Sequence, residues 1–356
     1  MKKMFLGLMA LIRPFGKRSE NVLLGLLLIT GVFSMFISNT ATAAMMLTFL
    51  TPVFKSLPAN GKGRIALTMA IPIGANLGGM GTPIGTPPNA FAYKVLNDPT
   101  GMNMDISFGD WMMFMVPLVL VLLVISWLLL KWFFPFKQKT IELEINGDMQ
   151  HNWRTVVVAI TFAVTIILWV FGKPIGINAN MVAMLPIAVF AFTGVITAKD
   201  LQDIDWGVIW MVAGGFALGL AMNGTGLAKT AMDAIPFGEW SPIVILVISG
   251  LVTFFLSNFI SNTATAALMI PILAVVCEGM GDKLNIIGGT STVLIGIAVA
   301  ASAAMCLPIS TPPNAIAYST GLIEQKDMSK TGLSVGIITL ILGFSLLIVL
   351  GKQGLF

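Results

Sequence analysis

Charge is what this sequence has least of. Only 10% of its 356 residues are Asp, Glu, Lys or Arg, against about 25% in a soluble domain. So few ionised side chains cannot cover a surface in water. That excludes a soluble enzyme, a nucleic-acid binder and a disordered protein. Histidine is reduced to His151, and cysteine to Cys277 and Cys306, both in apolar stretches; this argues against a metal site or a disulfide framework. The start, MKKMFLGLMALIRPFGKR, lacks a small-residue cleavage site, so no signal peptide is read from it. What remains is 56% hydrophobic, with a mean hydropathy of +0.92. The class is an all-α polytopic membrane protein with room for at most about a dozen spans of ~20 residues. The net charge of +4 reads as basic cytoplasmic loops.

Five apolar runs read as complete spans, at about 110–130, 155–171, 180–197, 207–222 and 331–350. Four other apolar stretches are interrupted. Residues 21–54 and 242–277 are each broken by Ser-Asn-Thr, and 65–97 and 286–323 by a Gly/Pro-rich segment ending in Thr-Pro-Pro-Asn. Backbone leaves the helix at membrane depth only inside protein or beside a water-filled cavity. These four breaks are therefore the functional candidates.

The breaks are copies of one another. FSMFISNTATAAMM (Phe33 to Met46) and LSNFISNTATAALM (Leu256 to Met269) agree at eleven of 14 positions, with Ser38 aligned to Ser261. GTPPNAFAY (Gly85 to Tyr93) and STPPNAIAY (Ser310 to Tyr318) follow in the same order and at nearly the same offset, with Thr86 aligned to Thr311. Charge then distinguishes the copies. Arg13, Lys17, Arg18, Lys55, Lys62 and Arg64 flank the first Ser-Asn-Thr segment, against Glu20; Asp233, Glu239, Glu278 and Asp282 flank the second, against Lys283. By the positive-inside rule the first base is cytoplasmic and the second external. Each Ser-Asn-Thr segment is too short to cross twice, so each is expected to be a re-entrant hairpin. Threading the remaining spans puts Lys131, Lys137, Lys139, Arg154, Lys199, Lys326 and Lys330 on the cytoplasmic side and the C-terminus outside.

The expected architecture is an inverted-topology repeat with two re-entrant hairpins and two broken helices. The first repeat occupies 1–135, with a hairpin at 18–57, a broken helix at 64–97 and a span at 110–134. A cytoplasmic linker covers 136–154. The second repeat occupies 155–356, with spans in 155–222, a hairpin at 241–280, a broken helix at 286–323 and a span at 331–350.

The hairpin interiors hold no charge, only Ser, Asn, Thr, Ala and apolar residues. A hairpin tip exposes the carbonyls ending one helix and the amides opening the next. Free carbonyls suit Na⁺ and free amides suit an anion. Asn, Ser and Thr serve either. With no fixed Arg or Lys, a bound dianion needs cations that arrive with it, which predicts obligatory coupling.

The paired motifs resemble the divalent anion:sodium symporter family, the dicarboxylate and citrate transporters, over about residues 13–350. The resemblance implies a homodimer with a scaffold and a moving transport domain, and an elevator mechanism carrying a di- or tricarboxylate with two or more Na⁺. It implies one Na⁺ site at Ser38 and Asn39, the backbone near Ser34, and Gly85. A second would use Asn262, the backbone near Ser257 and Ile260, and Ser310 and Pro312. Substrate carboxylates would meet Asn39, Thr40, Asn262 and Thr263, with Thr86 and Thr311 close by. Expected partners are a divalent anion such as succinate, malate or fumarate, Na⁺ and the inner or plasma membrane, with no nucleic acid and no prosthetic group. Citrate, sulfate or a dicarboxylate-exchange mode are alternatives within the family.

One departure stands out. The second hairpin is preceded by all of 155–240, including the stretch DIDWGVIWMVAGGFALGLAMNGTGLA from Asp203, whereas the first hairpin already begins at position 18. The first repeat therefore reads as N-terminally truncated, and a short non-transporting form is an alternative. A membrane enzyme using His151 or the Asp203/Asp205 pair is disfavoured: His151 lies in a polar loop, and helix-start acids are common.

Overall fold

The computed structural model describes residues 11–54, 57–58, 61–99, 101–141, 152–202 and 240–354, with scattered positions between 206 and 230. His151, Asp203 and Asp205, and most of the expected span at 207–222, lie outside the described residues. The described chain is helical, with one isolated bridge, between Arg18 and Thr140.

Its helices are α1 (Ser19–Ser34), α2 (Asn39–Val53), α3 (Lys62–Gly79), α4 (Pro87–Leu96), α5 (Phe108–Phe133), α6 (Trp153–Phe171), α7 (Ala179–Phe192), α8 (Ala198–Gln202), α9 (Pro242–Phe259), α10 (Asn262–Met280), α11 (Gly289–Ala303), α12 (Pro312–Ser319) and α13 (Gln325–Lys352). Local chemistry sets several starts. Ser107 and Asp110 form a reciprocal capping box for α5, and Glu324 and Asp327 do the same for α13. The box starts α13 ahead of the apolar run at 331. Pro87 and Pro312 occupy the first helical position of α4 and α12, where a missing N–H costs nothing.

Five helices among the described residues are long and apolar enough to cross a membrane: α5, α6, α9, the stretch Asn262–Ile287 that includes α10, and α13. Two of these flank the second Ser-Asn-Thr. With 18 and 19 residues, α9 and α10 are each about 27–28 Å long at 1.5 Å per residue. Together α9 and α10 fill 242–280, the range expected for the second hairpin, and by length and composition alone each is also long enough to cross. The first pair is shorter, at 16 and 15 residues.

The centre is built on α3 and α11. Every residue from Ala66 to Gly79 and from Ser291 to Ala303 is buried. A helix buried on all faces is largely apolar, and these two are rich in Gly and Ala, which lets neighbouring backbones approach closely. A Cβ placed on Gly78 would run into the backbone of Gly31 on α1.

Helix packing repeats with the sequence. With α1–α5 paired to α9–α13 in order, each contact has its counterpart. α1 packs on α2, α3 and α5, as α9 packs on α10, α11 and α13. Across the halves, α4 packs against α10 and α11, while α12 packs against α2 and α3. Each Thr-Pro-Pro-Asn helix thus sits on the Ser-Asn-Thr helix of the opposite half. By contrast α6 and α7 bury only Thr161, Thr165 and Val182.

Basic residues gather at one end of α1 and α5. Ser19 N–H donates to Lys139 O (3.0 Å) and Ile141 N–H to Lys17 O (2.8 Å). Lys131 pairs with Glu20 at 2.6 Å, and Lys330, near the start of α13, lies 4.1 Å from the Phe133 ring centroid. Arg64 donates to the carbonyls of Phe54 and Leu57 just after α2.

Candidate functional site

Each Ser-Asn-Thr break is a helix end facing a helix start. α1 ends at Ser34 with Met35 as its C-cap. Ser38 Oγ then accepts from Ala41 N–H at 3.2 Å. In the second copy Ile260 is the extended C-cap of α9, and Ser261 Oγ accepts from Ala264 N–H at 3.2 Å. These serines satisfy one of the free amides that open the next helix.

Beneath each tip a set of oxygen-bearing groups converges. In the first, fully buried Ser34 donates through Oγ to Asn39 Oδ1 at 2.7 Å. With its NH₂ turned inward instead, the Asn39 amide reaches Ser34 Oγ (2.7 Å), Gly85 O (3.1 Å) and Ala75 O (3.2 Å). Four oxygen-bearing groups therefore converge: Ser34, Asn39 and the backbones of Ala75 and Gly85. In the second, buried Ser257 stands 2.8 Å from Asn262 Oδ1 and 2.9 Å from Ala301 O. One hydroxyl proton cannot serve both acceptors. Converging neutral oxygens suit a hard monovalent cation once the Asn39 amide presents Oδ1 to it, and in the second cluster the proton deficit at Ser257 points the same way.

The two Thr-Pro-Pro-Asn segments are closed by their own asparagines. Asn89 Nδ2 donates to Gly79 O (3.2 Å), Met80 O (3.1 Å) and Thr82 O (2.8 Å). Asn314 Nδ2 donates to Met305 O (2.9 Å), Leu307 O (3.0 Å) and Ser310 Oγ (3.3 Å). These side chains hold a helix-breaking loop in shape inside the protein by pairing its freed carbonyls.

The sequence-selected residues take different positions. Ser34, Asn39 and Gly85 come together, as do Ser257 and Asn262. Thr86 and Thr311 are the buried N-caps of α4 and α12. Ser310 Oγ bonds to Leu307 O at 2.6 Å, within its own turn. Thr40 and Thr263 lie in the first turns of α2 and α10, the former exposed and the latter half-buried. Ser38, Ile260 and Pro312 are exposed. Sequence reasoning missed the carbonyls of Ala75 and Ala301, which no side-chain pattern announces. It also missed Thr42 and Thr265, corresponding residues whose buried hydroxyls have no partner, although both belong to the repeated SNTAT. Asn76, a lone amide in the apolar run of α3, was a further available signal.

None of these site groups titrates near neutrality. A buried crossing of broken helices, lined by neutral oxygens and helix N-termini, is an arrangement suited to holding small ions within a transporter.

The comparisons agree. A family model described as citrate transporter matches residues 5–293. An uncharacterized transporter of Haemophilus influenzae is 31% identical, over 89% of this chain and 70% of that protein. The sodium-dependent dicarboxylate transporter SdcS of Staphylococcus saprophyticus is 29% identical over 93% of this chain and 69% of its own length. SdcS of Staphylococcus aureus is 30% identical, over 94% and 70%. The chain belongs to the divalent anion:sodium symporter family, of the dicarboxylate and citrate transporter type.

Proposed function

We propose that this chain couples the inward flux of Na⁺ to uptake of a C4-dicarboxylate of the succinate, malate or fumarate type. The observation that carries the reading is the pair of matching oxygen clusters at Ser34/Asn39/Ala75/Gly85 and Ser257/Asn262/Ala301. We assign a Na⁺ to each. Ser38 and the first-half backbone complete one site; Ile260, Ser310 and Pro312 contribute to the other. With both filled, the local charge is positive, and a dianion is held between them by Asn39, Thr40, Thr86, Asn262, Thr263 and Thr311. The amides opening α2 and α10 add further partial positive charge. An empty pair of sites offers the dianion no such field, which makes coupling obligatory.

The crossed packing of α4 on α10 and α12 on α2 favours motion of these elements as one body, an elevator step against the remaining helices of a homodimer. The gathering of Lys17, Lys131, Lys139 and Lys330 at one end supports placing that end in the cytoplasm, with the base of the second hairpin outside. The sodium dependence in the name of its relative SdcS adds support.

The test is uptake into proteoliposomes with and without an inward Na⁺ gradient, using succinate, citrate and sulfate. Succinate uptake that requires Na⁺ is the expected result. Uptake indifferent to Na⁺ overturns the coupling, and a preference for citrate or sulfate overturns the substrate class.

A further inference from the structure

The two Thr-Pro-Pro-Asn segments are not equivalent, and one residue of the opposite half makes the difference. Asn314 spends its NH₂ group on Met305 O, Leu307 O and Ser310 Oγ. Those three acceptors fix the orientation of its amide, so its Oδ1 faces the other way, toward α3. There Asn76 must present a donor, and its Nδ2 lies 3.1 Å from Asn314 Oδ1. The same Nδ2 lies 3.2 Å from Thr311 Oγ1. Thr311 Oγ1 also accepts from the Asn314 N–H at 3.3 Å. A hydroxyl has two acceptor positions and one proton. Both acceptor positions of Thr311 are now taken, and its proton is left to donate.

The first half lacks this device. Where Asn76 stands in α3, the aligned residue of α11 is Ala301. Correspondingly, Asn89 Oδ1 is buried without a partner, and Thr86 makes no capping bond through its side chain. Asn76 itself is 1% exposed and leaves its own Oδ1 unpaired. Asn is a poorer helix former than Ala, and an unpaired buried amide oxygen is destabilising. Helix packing alone gives α3 no reason to carry it.

We propose that Asn76 is a positioning residue that reaches across the halves and fixes Thr311 as a hydrogen-bond donor toward a substrate carboxylate. This rests on the reading of Thr311 as a substrate contact. The second half then receives the anion with a preset donor, while Thr86 stays free to rotate.

The experiment is initial-rate succinate uptake at saturating Na⁺ for Asn76→Asp, Asn76→Ala, Thr311→Ala and the double variant Asn76→Ala/Thr311→Ala. Asp is isosteric but accepts, so it captures the Thr311 proton. Asn76→Asp is expected to raise the succinate KM about tenfold or more, the scale of a hydrogen bond to a charged group. The Na⁺ concentration for half-maximal rate stays within about twofold, a small change on the scale of ligand loss. Asn76→Ala, which copies the natural Ala301, raises KM by a smaller factor; it carries the test alone should the Asp variant not fold. In the double variant, Asn76→Ala adds nothing to Thr311→Ala. An unchanged KM in both Asn76 variants, or effects that multiply in the double variant, overturns the proposal. An unchanged KM in Thr311→Ala instead overturns the substrate-contact reading beneath it.

Discussion

The two halves solve one geometric problem with different chemistry. Each must tie its Ser-Asn-Thr tip to the loop of its own broken helix. In the first half the loop supplies the side chain: Thr82 Oγ1 donates to Met35 O. In the second half the tip supplies it: Asn258, aligned with Met35, accepts the Cys306 N–H at Oδ1 (2.8 Å). The Ser–Asn bonds at 2.7 and 2.8 Å are nearly identical, yet the loops beside them are not. Gly79, Gly81, Thr82 and Gly85 stand where Ala304, Cys306, Leu307 and Ser310 stand later. The oxygen cluster recurs in its Ser–Asn pair, and its supports recur only in position. The chemistry that contacts an ion is narrowly constrained, whereas a tie can be made from either side.

The sharpest way to break this picture is to remove one asparagine at a time. Asn39→Ala and Asn262→Ala each delete the side-chain amide of one cluster, although Ser257 keeps Ala301 O as an acceptor. A charge-assisted contact of about 1.5–3 kcal/mol is lost, so Na⁺-driven uptake should fall by at least about tenfold in each. Equal losses support two equivalent ion sites. A loss confined to one variant shows that only that half binds Na⁺.

A smaller effect is expected from exchanging the aligned Gly79 and Ala304. A Cβ on Gly79 would lie 2.6 Å from Asn39 Oδ1 and would strike the Gly79–Gly85 backbone approach. Gly79→Ala should therefore cost about 1–3 kcal/mol as overpacking, read as a lower unfolding temperature with weakened protection by Na⁺. Ala304→Gly, in a site that already holds a Cβ, should cost no more than about 1 kcal/mol and leave Na⁺ protection intact. Equal behaviour of the two would show that the first cluster is not shaped by its glycines.

Much of this was legible in the sequence because the signals were local. Ser-Asn-Thr and Thr-Pro-Pro-Asn interrupt apolar runs, and their repetition in one order at a nearly constant offset pairs the breaks without any structure. Ser34 and Asn39 stand close in the chain on either side of a helix end, so their meeting is foreseeable. The partners supplied by backbone were not foreseeable, because Ala75 O and Ala301 O depend on how α3 and α11 cross the tips. Nor was the bond from Asn76 to Asn314, which spans 238 positions and needs the interlocked packing of the halves.

The ties themselves give a third, finer comparison. Thr82→Val leaves Met35 O unpaired, and Asn258→Leu leaves the Cys306 N–H unpaired. Each should cost about 1–3 kcal/mol. The Asn258 variant should cost more, because buried N–H groups without acceptors are tolerated less than carbonyls and because Asn258 also donates to Phe254 O. Thermal unfolding of the two purified variants measures the difference. The opposite order would mean that the first-half tie is the stronger one.

The smallest effect expected is that of pH on the protein. The groups assigned to either half are hydroxyls, amides and backbone carbonyls, none of which changes charge between about pH 6 and 8. The one histidine, His151, falls in the linker sequence, away from the motifs of both halves. Stabilisation by Na⁺ should therefore vary by less than about twofold in apparent affinity over that range, and His151→Ala should leave it unchanged. Uptake of a dicarboxylate should still decline in acid, since protonation removes the dianion as pH falls through the acid's own second pKa. That decline should be shared by Asn76→Ala and Thr311→Ala, which add no titrating group. A pH dependence of Na⁺ stabilisation in the absence of substrate would place a titrating group beside one cluster and end the equivalence of the two halves.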